Sequence, residues 1–432
     1  MDVLKIVLPY GEETIKFEIP KVRNIKYYTV SSKLPDRSIL DQGRIVEEAL
    51  DTPINTPKLD DILKKTSRVS ILVTDKTRAT PNNLVIPILL SRIKRTGVKM
   101  EHIDIVVANG LHEPMNKSEL ENFLGKDIVS EYNVVNHVAD DKDSLEYIGK
   151  TRFGTELYVN RVVSRSSFRI AVGLVEPHFF AGYSGGRKLV LPGVAGVRSI
   201  YMNHSFKMIA HPLADYGYLD GNPINEDMMN AASIVGLEYT INIVLDKSKR
   251  IIYVSSGDYV EAYRRAVDFL SSLICIDVPF QADITITSNG GYPLDRNLYQ
   301  AVKGMVTASR ATREGGVIII VSECRDGVGH KDFRELSSIH KDPCKILEYI
   351  EANEPLRDQW EVQKLAQVLC KNKVILVSKG IREEEALDMN LLYASNLEEA
   401  FREALRIIGR SDVKVLSIPE GPYVIPLPSR AS

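Results

Sequence analysis

Along most of the chain, short apolar runs alternate with longer stretches whose apolar residues recur every three or four positions. The first pattern marks buried strands; the second marks helices packed on one face. Residues 3–8 and 14–18 flank Gly11 and predict an opening hairpin. Residues 38–65 read as helical and connecting. From Val69 the texture becomes α/β: strand Val69–Thr74, a helix over 82–95, strand Ile103–Val107, a short helix near 117–124, then strands Asn133–Val138 and Phe168–Val175. A glycine-rich turn, Gly182 to Gly186, comes next. A helical and irregular stretch with an Asp-Gly-Asn-Pro turn at 220–223 leads to strands near 239–245 and 251–254 and a helix near 257–272.

Around Ile276–Phe280 the order restarts, which places a domain boundary there. Strands Ala282–Thr287, Gly316–Val321, Lys373–Ser378 and Val413–Ile418 alternate with helical segments near 297–310, 331–337, 343–351, 355–370 and 396–409. The pattern predicts two α/β domains with mainly parallel sheets, residues 1–275 and 276–432, and an extended tail. No internal repeat is visible.

Three of the strands run directly into loops that each carry a distinctive polar group: Arg78, His112 and His178. In open α/β sheets, ligands bind beyond the carboxyl ends of the strands. If these strands are parallel neighbours, the three loops share one crevice. The third loop continues as Glu176 through His204, with Lys188 between His178 and His204. Gly185-Gly186 allows positive φ and close approach to a ligand. An amine between two imidazoles suits chemistry. A glycine turn bearing Arg187-Lys188 also fits a phosphate-binding turn or a structural turn with solvated charges. The nucleotide-triphosphate loop is excluded, because Leu189 stands where Ser or Thr is required.

Composition narrows the class. Over 432 residues, 55 Lys+Arg against 57 Asp+Glu leave a net charge of −2, which favours neither nucleic acid nor an anionic membrane as partner. No apolar run reaches the ~20 residues of a membrane span, and the first residues lack a signal-peptide core. The four cysteines show neither metal-type spacing nor a disulfide framework, so reduced thiols and a cytoplasmic location are expected. In the second domain Tyr299, Gln300 and Lys303 lie on or beside one helical face. Trp360 reads either as a core anchor or as a lid.

Together these motifs resemble the nickel-pincer lactate racemase family over nearly the whole chain. The resemblance rests on Asp75-Lys76-Thr77-Arg78-Ala79-Thr80-Pro81, Gly110-Leu111-His112, the stretch from His178 to His204, Tyr299-Gln300-Ala301-Val302-Lys303, Cys324-Arg325-Asp326-Gly327 and Asp358-Gln359-Trp360, in that order. It implies an active-site cleft between the domains, the second of them Rossmann-like. It also implies nickel held in a pyridinium-3-thioamide-5-thiocarboxylic acid mononucleotide, supplied by cofactor-maturation proteins and attached to Lys188, with His204 as the protein's nickel ligand.

By the same resemblance His112 and His178 are two bases, one for each enantiomer of a 2-hydroxy acid. Each takes the hydroxyl proton while hydride leaves C2 for the cofactor. Imidazole suits the task because its ordinary pKa of ~6.5 lets it accept and return a proton near neutrality. Arg78 and Lys303 correspond to the carboxylate and polar-orientation pair, with Tyr299 and Gln300 lining the substrate side. Asp75, Thr77 and Trp360 are expected around the cofactor, Asp75 also being spaced to orient Arg78. Glu176 reads as an orienting partner of His178 or a plain strand-end carboxylate. Leu111, Phe179, Phe180 and Leu294 are expected pocket walls, although the two phenylalanines equally suit the core. The implied substrate is a short 2-hydroxy acid, lactate first, ahead of a larger hydroxy or sugar acid. A non-enzymatic phosphate- or nucleotide-binding protein is the reading from another class.

Overall fold

The computed structural model describes residues 5–19, 25–65 and 67–428. The expected start of the hairpin at Val3 and Leu4 lies outside them.

Two six-stranded sheets organise the chain. The first runs, edge to edge, through Ile251–Gly257, Tyr239–Leu245, Phe168–Leu174, Val69–Thr74, Ile103–Ala108 and Asn133–Asn136. All are parallel except the Ile251–Gly257 edge. Strand Val69–Thr74 is buried at every position, as a parallel strand covered on both faces must be. Helices Gln42–Asp51 and Asn82–Arg95 cover one face through Val46, Leu50, Val85, Ile86 and Leu89. Leu189, Val190 and Val194, just beyond the glycine turn, cover the other together with Ala232 and Val235.

The second sheet is wholly parallel, in the order Leu392–Ala394, Lys373–Val377, Thr312–Val321, Ala282–Ser288, Val413–Ile418 and Ile25–Thr29. Its last strand comes from near the start of the described residues. Residues 25–29, grouped by the sequence with the first domain, pair with Val413–Ser417 of the second. The hairpin Lys5–Tyr10/Glu13–Glu18 lies there too: Phe17 meets Phe401 edge-on at 5.5 Å, and the Gly11 N–H donates to Asp295 Oδ2 at 2.6 Å. Alternation can reveal a strand, but the sheet edge it joins depends on which edge is left open in three dimensions.

Three further differences are local. A hairpin, Leu145–Lys150 with Glu156–Asn160, was not expected. The boundary segment Cys275–Val278 is itself a strand, paired with Ile425–Pro428 of the tail. Cys344 and Cys370, expected as free thiols, form a disulfide between helices Pro343–Ala352 and Gln359–Lys371, while Cys275 and Cys324 are free. No helix among the described residues is long and apolar enough to cross a membrane.

One apolar cluster bridges the two sheets, running from Phe179, Phe180 and Tyr183 to Met305, Val306 and Trp360. Burying a side chain of this size is worth about 1.5–3 kcal/mol, so the seam is held as a core is held.

Candidate active site

Strands Phe168–Leu174, Val69–Thr74 and Ile103–Ala108 are adjacent and parallel. Their carboxyl ends therefore lie side by side, and the loops bearing His178, Arg78 and His112 open at one edge of the sheet.

The loop after Phe168–Leu174 is closed by its own polar groups. The Ser184 hydroxyl donates to the Leu174 carbonyl at 2.6 Å and accepts the Glu176 N–H at 2.8 Å, while His178 pairs with Gly182. Gly185 has φ +124°, and a Cβ there would stand 2.6 Å from the Tyr263 ring, so only glycine fits. Arg187 then turns inward. It is fully buried, stacks at 4.3 Å over Tyr263, and donates to Asn225 Oδ1, the Tyr183 carbonyl and the Ala181 carbonyl at 2.7, 2.8 and 3.1 Å. That overturns the reading of Arg187 as a solvated charge; it is an internal brace for the turn.

Lys188 projects the other way. Its Nζ lies 2.8 Å from His178 Nε2 and 5.6 Å from the centre of the Phe180 ring. Burial, then the charges of Arg78, Arg187 and Lys303, holds the Lys188 amine well below its ordinary pKa. Burial and then Lys188, Arg78 and Lys303 likewise depress His178. Both shifts act in favour of the uncharged forms.

His204 ends the short helix Val197–Asn203. Its ring meets Phe180 and Trp360 edge-on at 5.0 and 5.3 Å. Burial, followed by the Lys188 charge, pushes its pKa down to about 3. Its Nδ1 is buried without a hydrogen-bond partner, and such an atom is costly unless something occupies it. Phe179 and Phe180 are each 3 % exposed and belong to the seam cluster. Phe180 also contacts His178 at 4.4 Å, so it serves core and site at once. Trp360 does the same from the second domain, at 8 % exposure.

Arg78 lies 3.5 Å from Glu176, which makes Glu176 a partner of the guanidinium. Asp75 is buried at the same strand end. Its carboxylate faces His112, Oδ2 to Nδ1 at 2.8 Å, and accepts the Thr77 N–H at 2.6 Å. Burial alone would raise its pKa, but the His112 hydrogen bond and charge, with Thr77 and Arg78, bring it down to about 2. Thr77 itself is exposed.

The helix Leu298–Ala311 supplies the second domain's groups, its start capped by Asn297, which accepts the Gln300 N–H at 3.0 Å. Lys303 donates to Gln300 Oε1 at 2.5 Å, and the Tyr299 hydroxyl donates to Asp358 Oδ1 at 3.3 Å. Burial lowers the Lys303 amine, and the neighbouring Glu361 carboxylate counters that. Glu361 is itself buried, with Oε1 unpartnered, and burial raises its pKa. Sequence reasoning missed Glu361, although it directly follows Trp360 in the Asp358-Gln359-Trp360 motif. A cavity at the seam is lined by Glu176, Pro177, Lys249, Tyr292, Leu294 and Tyr423 among others.

Among the described residues no cluster of three or more His, Cys, Asp or Glu side chains can hold a metal by itself. The unpartnered nitrogen of His204 and the nearby Lys188 amine are the groups here that could hold an ion brought in by an organic ligand.

Comparison with known proteins identifies the family. The lactate racemase N-terminal domain matches residues 10–217, and the lactate racemase C-terminal domain matches residues 278–426. The lactate racemase of Thermoanaerobacterium thermosaccharolyticum is 37% identical over 423 residues, covering 97% of this chain and 98% of that protein. That of Lactiplantibacillus plantarum is 38% identical over 427 residues, covering 98% and 100%. The solved lactate racemase apoprotein of T. thermosaccharolyticum superposes with a TM-score of 0.91 at 36% identity, covering 98% of this chain and all of that one. A Thermotoga maritima protein shares the fold alone, with a TM-score of 0.69 at 20% identity. The chain belongs to the lactate racemase family.

Proposed function

We propose that this protein racemises a short 2-hydroxy acid, lactate first, using a nickel-pincer nucleotide attached to Lys188. The observation that carries the reading is the cluster in which Lys188 Nζ lies 2.8 Å from His178 Nε2 while His204 Nδ1 stands buried and unpartnered. When bound, the cofactor would supply a hydride acceptor, which avoids a carbanion beside a carboxylate. Lys188 would hold it and His204 would ligate its nickel, with Trp360 packed against that imidazole.

The chain's own groups supply binding and proton transfer. Arg78 offers a planar guanidinium that can exchange Glu176 for the substrate carboxylate. Lys303, held by Gln300, approaches from the second domain to orient the polar end, and Tyr299 closes the same side. On one flank, ionised Asp75 holds the Nδ1–H of His112 and leaves Nε2 free to take the hydroxyl proton. On the other flank His178 presents Nε2 toward Lys188. Two bases on opposite sides of a planar keto acid allow either enantiomer to form.

The test is co-production with the cofactor-making proteins, followed by intact mass, nickel analysis and chiral assay on lactate and larger 2-hydroxy acids. The expected result is a mass increment mapping to Lys188, about one nickel per chain, and interconversion of the lactate enantiomers. Competent maturation that leaves neither adduct nor nickel would refute the reading and favour phosphate binding at the glycine turn.

A further inference from the structure

One four-residue segment of the second domain reaches both sides of the site, and neither of its first two residues has a role in the proposed reaction. Asp358 is 4 % exposed and adopts φ +62°, a left-handed conformation that aspartate tolerates better than most residues. Both of its oxygens are engaged: Tyr299 donates to Oδ1 at 3.3 Å, and His330 Nδ1 lies 2.7 Å from Oδ2. Asp358 is thereby anchored within its own domain. Two residues later Trp360 packs against His204. One residue earlier, Arg357 reaches across the seam and donates from Nη2 to the Leu111 carbonyl at 2.6 Å.

That carbonyl belongs to the peptide unit that leads into His112. Because the peptide is planar, fixing its oxygen fixes the direction from which the His112 Cα, and hence the imidazole, leaves the chain. The loop's other ties come from the first domain. Gly110 N–H donates to Gly193 O at 2.9 Å, His112 N–H donates to Asn109 O at 2.9 Å, and the ring is bonded to Asp75. The His112 side chain is 47 % exposed, so packing alone does not hold it.

We propose that Arg357 is a positioning residue for His112. It sets the orientation of the base when the second domain sits on the first, and the anchored Asp358 holds its own backbone in place. The proposal rests on the reading of His112 as a base. It makes the alignment of one histidine depend on the contact between the two domains, so the site is complete only when the domains are together.

The test uses Arg357→Ala and Arg357→Lys. In the apoprotein, hydrogen exchange of the Gly110–His112 amides should quicken about tenfold in the alanine variant, the effect of losing one charge-assisted bond. Protection of helix Gln359–Lys371 should be unchanged. In the cofactor-loaded enzyme kcat should fall at least tenfold with KM altered less than about threefold, the signature of a misplaced reacting group. Lysine, which retains a donor, should restore part of both. Unaltered exchange at Gly110–His112 in Arg357→Ala would overturn the proposal, as would a rise in KM with kcat intact. A wild-type protein that carries adduct and nickel yet racemises no 2-hydroxy acid would overturn the functional reading instead. The exchange result would still decide whether Arg357 holds the loop.

Discussion

Asp75 and Lys188 show how much of the chemistry is set by single side chains. Lys188 places its amine against both the His178 imidazole and the Phe180 ring, and its uncharged form is favoured by burial and by three neighbouring cations. Lys188→Ala should fold normally and carry no organic adduct after maturation; an adduct found on intact mass would sink the attachment assignment. Asp75 supplies the ionised acceptor that selects the His112 tautomer. Asp75→Asn keeps the shape and loses the charge, so kcat should drop on the order of 10²-fold, within the range attributed to a positioned base. Equal kcat in the two proteins would remove His112 from the proton-transfer step. Spacing marks Asp75 as three residues before Arg78, yet folding gives its carboxylate to a histidine 37 positions away, a pairing no local pattern encodes.

At the scale of elements, the glycine turn matters because it sends consecutive side chains in opposite directions. Arg187 is drawn into the core by Tyr263, Asn225 and two carbonyls, which leaves Lys188 facing the cleft. Gly185→Ala tests this arrangement. The new methyl group would press on Tyr263 at a φ that L-residues avoid, so stability should fall by about 1–3 kcal/mol in denaturant titrations. Cofactor loading should fall with it. A variant as stable as the parent would show that the turn has room to relax. The helix Leu298–Ala311 is a simpler case. The sequence sets Tyr299, Gln300 and Lys303 on or beside one face of a helix near 297–310, and the helix Leu298–Ala311, capped by Asn297, carries all three.

For the molecule as a whole, buried histidines set how the fold responds to acid. His137 is fully buried, its Nε2 against the Ala195 carbonyl at 2.9 Å, and burial lowers its pKa to about 4. Between about 6.5 and about 4 the unfolded imidazole binds a proton that the folded one refuses. Stability is therefore full above pH 6.5 and declines as the pH falls toward 4, by up to ~3 kcal/mol from this residue. His204, lowered to about 3, pulls the same way, as does Asp75 once the pH passes below its unfolded pKa near 3.8. Thermal midpoints of the apoprotein from pH 7.5 to 4.5 should trace this loss, and His137→Gln should flatten it. An unchanged slope in that variant would mean other groups dominate.

Local order determined most of the element map. Runs such as Val69–Thr74 and Phe168–Leu174 are buried on both faces and so announce parallel strands, and each is followed at once by its functional loop. Strand and loop are neighbours in the chain, so the sequence by itself was enough to place Arg78, His112 and His178 at strand ends and Lys188 between two histidines. Tertiary structure decided whatever depends on partners distant in sequence. It carried strand Ile25–Thr29 to the second sheet, joined Cys344 to Cys370, turned Arg187 inward, gave Asp75 to His112, and brought Glu361 and Arg357 to the site. Short-range periodicity reflects burial against a sheet, a property each segment carries alone. Edge pairing, ion-pair partners and contacts across the seam depend on the positions of both participants, and those exist only once the chain is packed.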